Sequence, residues 1–220
     1  MKERPILFSG SMIRQILAGN KTQTRRVIKF PSGDSGINFP MAVKIDGCYE
    51  WIFWSTALFN NRDFTQKAYK CGDGIKCPYG QPGDQLWVRE TWWINPNDIT
   101  TQCKDFVIYR QEYSGPKPRL GWLSPIFMPR WACRLILEIT NINVERLQDI
   151  RPRDCLAEGI EDDVCLMSNE PVSKPIPYEI AIKIARNRFQ ELWDSLNTKR
   201  GYPWSSNPWV WKIEFKVVKP

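Results

Sequence analysis

Histidine is missing altogether from the 220 residues. Its absence excludes Ser-His and Cys-His catalysis, imidazole acid/base chemistry and every His-containing metal site. Chemistry must therefore use Lys, Thr, Ser, Cys, Tyr, Asp or Glu. Long apolar runs are also missing: no stretch approaches the roughly 18 residues of a membrane span. The opening MKERPILFSGSMIRQIL interrupts its apolar character too often for a signal peptide. The sequence reads as soluble, unexported and cytoplasmic, with no membrane partner. Internal repeats are absent too.

The chain does have 42% hydrophobic and 13% aromatic residues, which excludes disorder and suffices for one sizeable core. Lys and Arg number 31 against 24 acids, a net charge of +7 that suits a polyanionic partner without requiring one. Seven cysteines (Cys48, Cys71, Cys77, Cys103, Cys133, Cys155, Cys165) are odd in number and irregularly spaced, as expected of reduced thiols. Cys48, Cys71, Cys77 and Cys103 would in principle make a four-thiolate zinc site. Five residues separate Cys71 from Cys77, however, against the usual two to four or so. The chain is read as free of metal and organic cofactor.

ILFSGSMIRQILAG reads as a short strand, a Ser cap and a helix striped by Met12, Ile13, Ile16 and Leu17, stopped by Gly19. QLWVRETWW follows the turn Gln81–Asp84 as a strand, with Leu86, Val88, Glu90 and Trp92 on one face and Trp87, Arg89, Thr91 and Trp93 on the other. A second strand alternates Cys133, Leu135, Leu137 and Ile139 and bends at Asn141. RPRDCLAEG predicts a one- or two-turn helix with Pro152 in its first turn and Gly159 as its stop. From Tyr178 to Leu196 the set Ala181, Ile182, Ala185, Phe189, Leu192 and Leu196 has a helical period. WVWKIEFKV alternates, with Trp209, Trp211, Ile213, Phe215 and Val217 facing inward. The expected architecture is α+β: one domain over 1–220, a small mixed β-barrel with flanking helices, and insertions at 31–80, 96–127 and 160–177.

Lys21, Thr22, Gln23, Thr24, Arg25, Arg26 and Lys29 concentrate hydroxyls and cations just after a helix stop. For a charge run, a solvated edge is the plainer reading. In a straight strand Lys21 and Thr24 point to opposite faces, but a bend after Gly19 lets ammonium and hydroxyl converge, as a nucleophile and its base must. Arg25 and Arg26 disfavour a charged Lys21, so a proton-accepting lysine is attainable. Glu158 ends its short helix, where the dipole disfavours an anion, and Asp162 and Asp163 push the same way. Arg89 and Glu90 lie among aromatics, so a charge buried there needs a partner. Arg89 beside Trp87 and Trp92, and Arg130 beside Trp131, offer the cation and ring faces that an unstacked base uses, although a Trp-rich core looks the same in sequence.

The segments ILAGNKTQTRR, QPGDQLWVRETW, MPRWACRLILEITNINVERLQDI leading to AEGI, FQELWDSLN and NPWVWKIEF resemble an ASCH-domain protein of the PUA-like superfamily, in the long form met in phage and prophage genomes. They cover over half of the chain, in the expected order. The resemblance implies a compact β-barrel and a cleft for RNA or modified nucleosides. Within that superfamily AGNKTQTR and RPRDCLAEG are similar to the catalytic segments of N(4)-acetylcytidine amidohydrolase, which places a lysine, threonine and glutamate triad on Lys21, Thr24 and Glu158. This chain is about twice as long and differs at Gln23 and Arg26. The implied function is removal of an acyl group from the exocyclic amine of a modified cytosine nucleoside. Thr22, Arg25, Arg26, Arg89, Glu90, Trp92, Arg130 and Trp131 are the substrate-binding candidates, with Arg25 or Arg89 on the oxyanion. A noncatalytic RNA-binding module or a ribonuclease is the alternative.

Overall fold

A computed structural model describes residues 1–30, 37–45, 48–55, 75–160 and 178–218, with side chains left out at 37–45, 48–55, 178–179 and 181–182. The chain is α+β. Its centre is a mixed five-stranded sheet built from β1 (Glu3–Leu7), β2 (Gln23–Val27), β5 (Gln85–Arg89), β8 (Ile136–Arg146) and β9 (Trp209–Val218), in the order β1-β5-β8-β9-β2. β1 runs parallel to β5 and the other neighbours are antiparallel. The expected barrel is not closed: β1 and β2 are the two sheet edges, and no strand pairing joins them. Side chains span that gap. Arg26 Nη2 donates to the Leu7 carbonyl at 2.6 Å, and the Phe8 ring lies under the same guanidinium.

The helix α1 (Gly10–Leu17) links the two edges. Ser9 caps it by accepting from the Met12 N–H, its stripe buries Ile13 and Ile16, and Gly19 ends it at φ +79. These side chains join Leu86, Val88, Leu137, Ile139, Trp211, Ile213 and Phe215 in the main core. The opposite face of the sheet carries α2 (Pro152–Ala157) and α3 (Tyr178–Asn197), which pack Cys155, Phe189 and Trp193 against Leu147 and Val210. Trp193 completes the helical stripe four residues after Phe189, and Leu196, expected inside, is 37% exposed. Ala181 and Ile182 lie outside the described side chains. Val217, the penultimate residue of β9, is likewise exposed.

The segment expected as insertion 31–80 contains a hairpin of β3 (Ile37–Ile45) and β4 (Cys48–Ser55). Insertion 96–127 wraps a third small core around Trp92, Ile94, Val107, Met128 and Ala132. In it β6 (Trp92–Trp93) pairs with β7 (Ile108–Tyr109), so the strand expected through QLWVRETWW breaks after Arg89. Apart from Ile160, insertion 160–177 lies outside the described residues, as do Asp162 and Asp163. Asn141 falls at the register shift of β8 against β9, where the sequence puts the bend.

Candidate functional site

The segment preceding β2 is held on three sides. Lys21 N–H donates to Gln15 O of α1 and Thr22 N–H to Ala157 O of α2, while Thr22 O accepts from Phe215 N–H of β9. Lys21 and Glu158 form an isolated antiparallel bridge, so two residues 137 positions apart meet where two helices end. The close approach depends on Gly159, at φ +83: a Cβ there would lie 2.8 Å from Gln15 Cβ and 3.0 Å from Lys21 Cβ.

Lys21 is 1% exposed and Glu158 3%. The ammonium Nζ donates to Glu158 Oε2 and to the Glu158 carbonyl, both at 2.7 Å, and lies 5.7 Å from the Phe8 ring centroid. The anion at the end of α2 is thus matched by a cation that also satisfies a terminal helix carbonyl. Burial pushes the Lys21 ammonium below its ordinary pKa. Glu158 opposes that shift, and the positive Arg26 and Arg25 reinforce it.

Arg25 grips the other side of Glu158. Its Nη1 donates to Glu158 Oε1 at 3.0 Å, its Nε to Glu145 Oε1 at 2.7 Å and its Nη2 to Asp154 Oδ2 at 3.2 Å. Lys212 Nζ adds a 3.0 Å bond to Asp154 Oδ2. Burial opposes ionisation of Asp154, but the Lys212 hydrogen bond and the charges of Lys212 and Arg25 outweigh it and hold the carboxyl below its usual range. Sequence reasoning missed Glu145, Asp154 and Lys212. Lys212 is brought in by its register opposite Arg25 on β9, which no local sequence pattern reveals.

Strand alternation puts Gln23 and Arg25 on the α2 side of β2 and Thr24 and Arg26 on the other. Thr24 is 2% exposed. It shares the Phe8 side, toward which Lys21 Nζ also turns, although among the described residues no hydrogen bond joins its hydroxyl to Lys21 or Glu158. Arg26, centred 5.2 Å from the Phe8 ring, keeps a buried Nε that has no hydrogen-bond partner among the described residues. Thr22 is exposed.

The remaining candidates lie in or beside the third core. Glu90 is fully buried, and its two oxygens accept from Arg134 Nε and Nη2 at 2.8 and 2.9 Å. Arg134 also pairs with Glu112 and lies 4.1 Å from the Tyr109 ring centroid. Arg89 rests on Trp87 at 4.6 Å and donates to Ile126 O. Trp92 is buried, edge-on to Trp131, while Arg130 forms a two-bond pair with Glu3. Among the described residues no hydrogen bond or ion pair joins these side chains to Lys21 or Glu158. They form a structural cluster of their own. Arg134 is the partner that the buried charge required.

Cys77, Cys103, Cys133 and Cys155 are free thiols, with Cys77 and Cys155 both pushed up to about 11 by burial. Cys71, Cys165 and the Cys48 side chain lie outside the described residues. No cluster of metal-ligating side chains occurs among the described residues, nor any helix long and apolar enough to cross a membrane. Comparison with protein-family models, curated proteins and solved structures gave no match.

Proposed function

We propose that this protein is an ASCH-type, PUA-like amidohydrolase that removes an acyl group from the exocyclic amine of a cytosine nucleoside. The observation that carries the reading is the buried Lys21–Glu158 pair at 2.7 Å, with Lys21 held below its ordinary pKa and Thr24 buried on the adjoining strand β2. A lysine so placed surrenders its proton more easily than a solvated one, as a general base must. Neutral Lys21 takes the Thr24 hydroxyl proton while Thr24 Oγ1 attacks the amide carbonyl carbon. The C–N bond then breaks. The departing amine receives the proton from Lys21, and the acyl ester left on Thr24 is hydrolysed by water to free acid and regenerated hydroxyl. Glu158 orients Lys21 throughout.

The oxyanion role passes to Arg26. Arg25 directs its donors to three carboxylates, and Arg89 sits in the separate aromatic cluster. Among the described residues Arg26 Nε is a buried donor without a hydrogen-bond partner, as a group awaiting a developing negative charge would be.

One observation favours a second reading. Near-complete burial of Lys21 and Glu158 also suits a purely structural ion network that holds α2 against the sheet edge. The same burial weakens the RNA-binding alternative for Lys21 and Arg25, since cations enclosed with carboxylates are not presented to phosphates. Incubating the protein with a panel of N(4)-acylated cytidines and short RNAs tests the proposal. Release of cytidine and free acid is expected, with none from Lys21→Ala. Intact substrates alongside a folded wild-type protein would leave the structural reading.

A further inference from the structure

A concave site whose lining includes neither Lys21 nor Glu158 lies beyond the β6–β7 ribbon. Arg110 leaves β7 with its N–H on Thr91 O at 3.0 Å, and Trp122 immediately precedes Leu123, which bridges to Trp92. Between them the loop folds back through Tyr113, Gly115 and Lys117, leaving a solvent-open hollow of about 140 Å³. Its lining holds two cations and two aromatic rings and no acid. The Arg110 guanidinium is 5.3 Å from the Trp122 ring centroid, and Tyr113 meets Trp122 edge to face at 5.6 Å.

Three features make this more than a basic loop. The neighbouring acid, Glu112, is committed to Arg134, so it does not neutralise Arg110. Among the described residues neither Arg110 nor Lys117 has a carboxylate partner. Gly115 is a cradle for the Tyr113 ring: a Cβ there would lie 2.6 Å from Tyr113 Cζ and Oη. The aromatic wall is therefore built into the loop, and the stacked guanidinium keeps its outer N–H edge open.

We propose that Arg110, Lys117 and Trp122 form a phosphate-binding pocket for a nucleotide. The Arg110 fork and the Lys117 ammonium take the phosphate oxygens, and the Trp122–Tyr113 wall takes the attached ring system. Paired cations with no acid in the lining select an anion, the planar fork takes two oxygens of that anion, and the aromatic wall favours a nucleotide over a simple phosphate or carboxylate. This pocket does not depend on the amidohydrolase reading. The phosphate is either the monoester of a free nucleotide or a diester of a single-stranded chain.

The test is isothermal titration of the full chain with inorganic phosphate, adenosine, 5′-AMP and an octa-adenylate. Adenine ligands are used so that a cytosine-directed site does not contribute. 5′-AMP is expected to bind at least about tenfold more tightly than adenosine, as loss of charge-assisted hydrogen bonds implies. Arg110→Ala should weaken 5′-AMP about tenfold to a hundredfold. Lys117→Ala, on an exposed loop residue, should weaken it in the same direction while preserving the circular dichroism spectrum. Arg119→Ala, outside the lining, should bind as wild type. Tighter binding of the octa-adenylate, falling with salt, identifies the diester source; tighter binding of 5′-AMP identifies the monoester. Equal affinity for adenosine and 5′-AMP, wild-type affinity in folded Lys117→Ala, or no binding of any phosphate ligand would each overturn the pocket.

Discussion

Replacing Glu158 by Gln keeps the shape of the side chain and removes the carboxylate that pairs with Lys21 among the described residues. The Lys21 side chain is fully buried and retains just the Glu158 carbonyl at 2.7 Å. Breaking a buried pair from one side costs about 3–5 kcal/mol, and that remaining carbonyl bond puts the expectation near 3 kcal/mol. Lys21→Met costs less, about 1–3 kcal/mol, because Glu158 still accepts from Arg25 Nη1 at 3.0 Å. In the double variant no buried lysine is left unmatched, so it should be less destabilised than the sum of the singles, by about 1.5 kcal/mol or more. Urea unfolding of the four proteins completes the cycle. For a chain of this size about 3 kcal/mol corresponds to a fall in Tm of about 6–12 °C. The Glu158→Gln penalty should also shrink at alkaline pH. The folded-state pKa of Lys21 lies below its ordinary 10.5, so the cost of burying the ammonium is present below that folded value and vanishes as both states become neutral. Additive single effects, within about 0.5 kcal/mol, would show that the pair is not energetically coupled and would refute the reasoning.

Turnover should rise with pH through a midpoint below the ordinary lysine value of 10.5, and Arg26→Gln should move that midpoint upward by removing a charge that disfavours the ammonium; a pH–rate profile of both proteins checks it. Asp154 contributes stability above its ordinary carboxyl range that is lost as pH falls through its lowered folded value. Acid unfolding of Asp154→Asn should therefore lose part of its pH dependence. Gly159→Ala should destabilise by about 1–2 kcal/mol from the left-handed backbone alone, and by more from the contacts with Gln15 and Lys21, read by thermal unfolding. Glu90→Gln should lower stability by stripping Arg134 of its bidentate partner while leaving KM for an acylated nucleoside unchanged, in accord with the separation of the two clusters.

Local punctuation made much of the fold legible. Ser9, Gly19, Pro152 and Gly159 bound helices in the sequence and in the structure. Alternation placed Trp209, Trp211, Ile213 and Phe215 in cores. It failed at Val217, which is exposed at the end of β9. The β3–β4 hairpin escaped notice because Pro40 interrupts its first strand and short-range periodicity carries little signal in an aromatic-rich stretch. Trp193 was overlooked for the same kind of reason, since a stripe drawn through Leu192 and Leu196 looks as periodic as the one through Phe189 and Trp193. At the site, Lys21 and Glu158 could be named from the motif and the helix end, whereas Arg25 appeared as an oxyanion donor because nothing local reveals Glu145 and Asp154, about 120 and 129 positions away. Long-range charge pairing depends on strand register, which a single sequence constrains weakly. Barrel closure likewise depends on whether two distant edges pair.

On the proposed mechanism Thr24 and Lys21 perform acyl transfer rather than hold the fold together. Its most direct measurement is the rate of cytidine release from N(4)-acetylcytidine by wild type, Thr24→Ser, Thr24→Val and Lys21→Ala, each verified as folded by circular dichroism. Wild type should turn over, Thr24→Ser should retain part of the rate because it keeps a hydroxyl, and Thr24→Val and Lys21→Ala should be inactive. Full activity in Thr24→Val, or no release by folded wild type, would contradict the account.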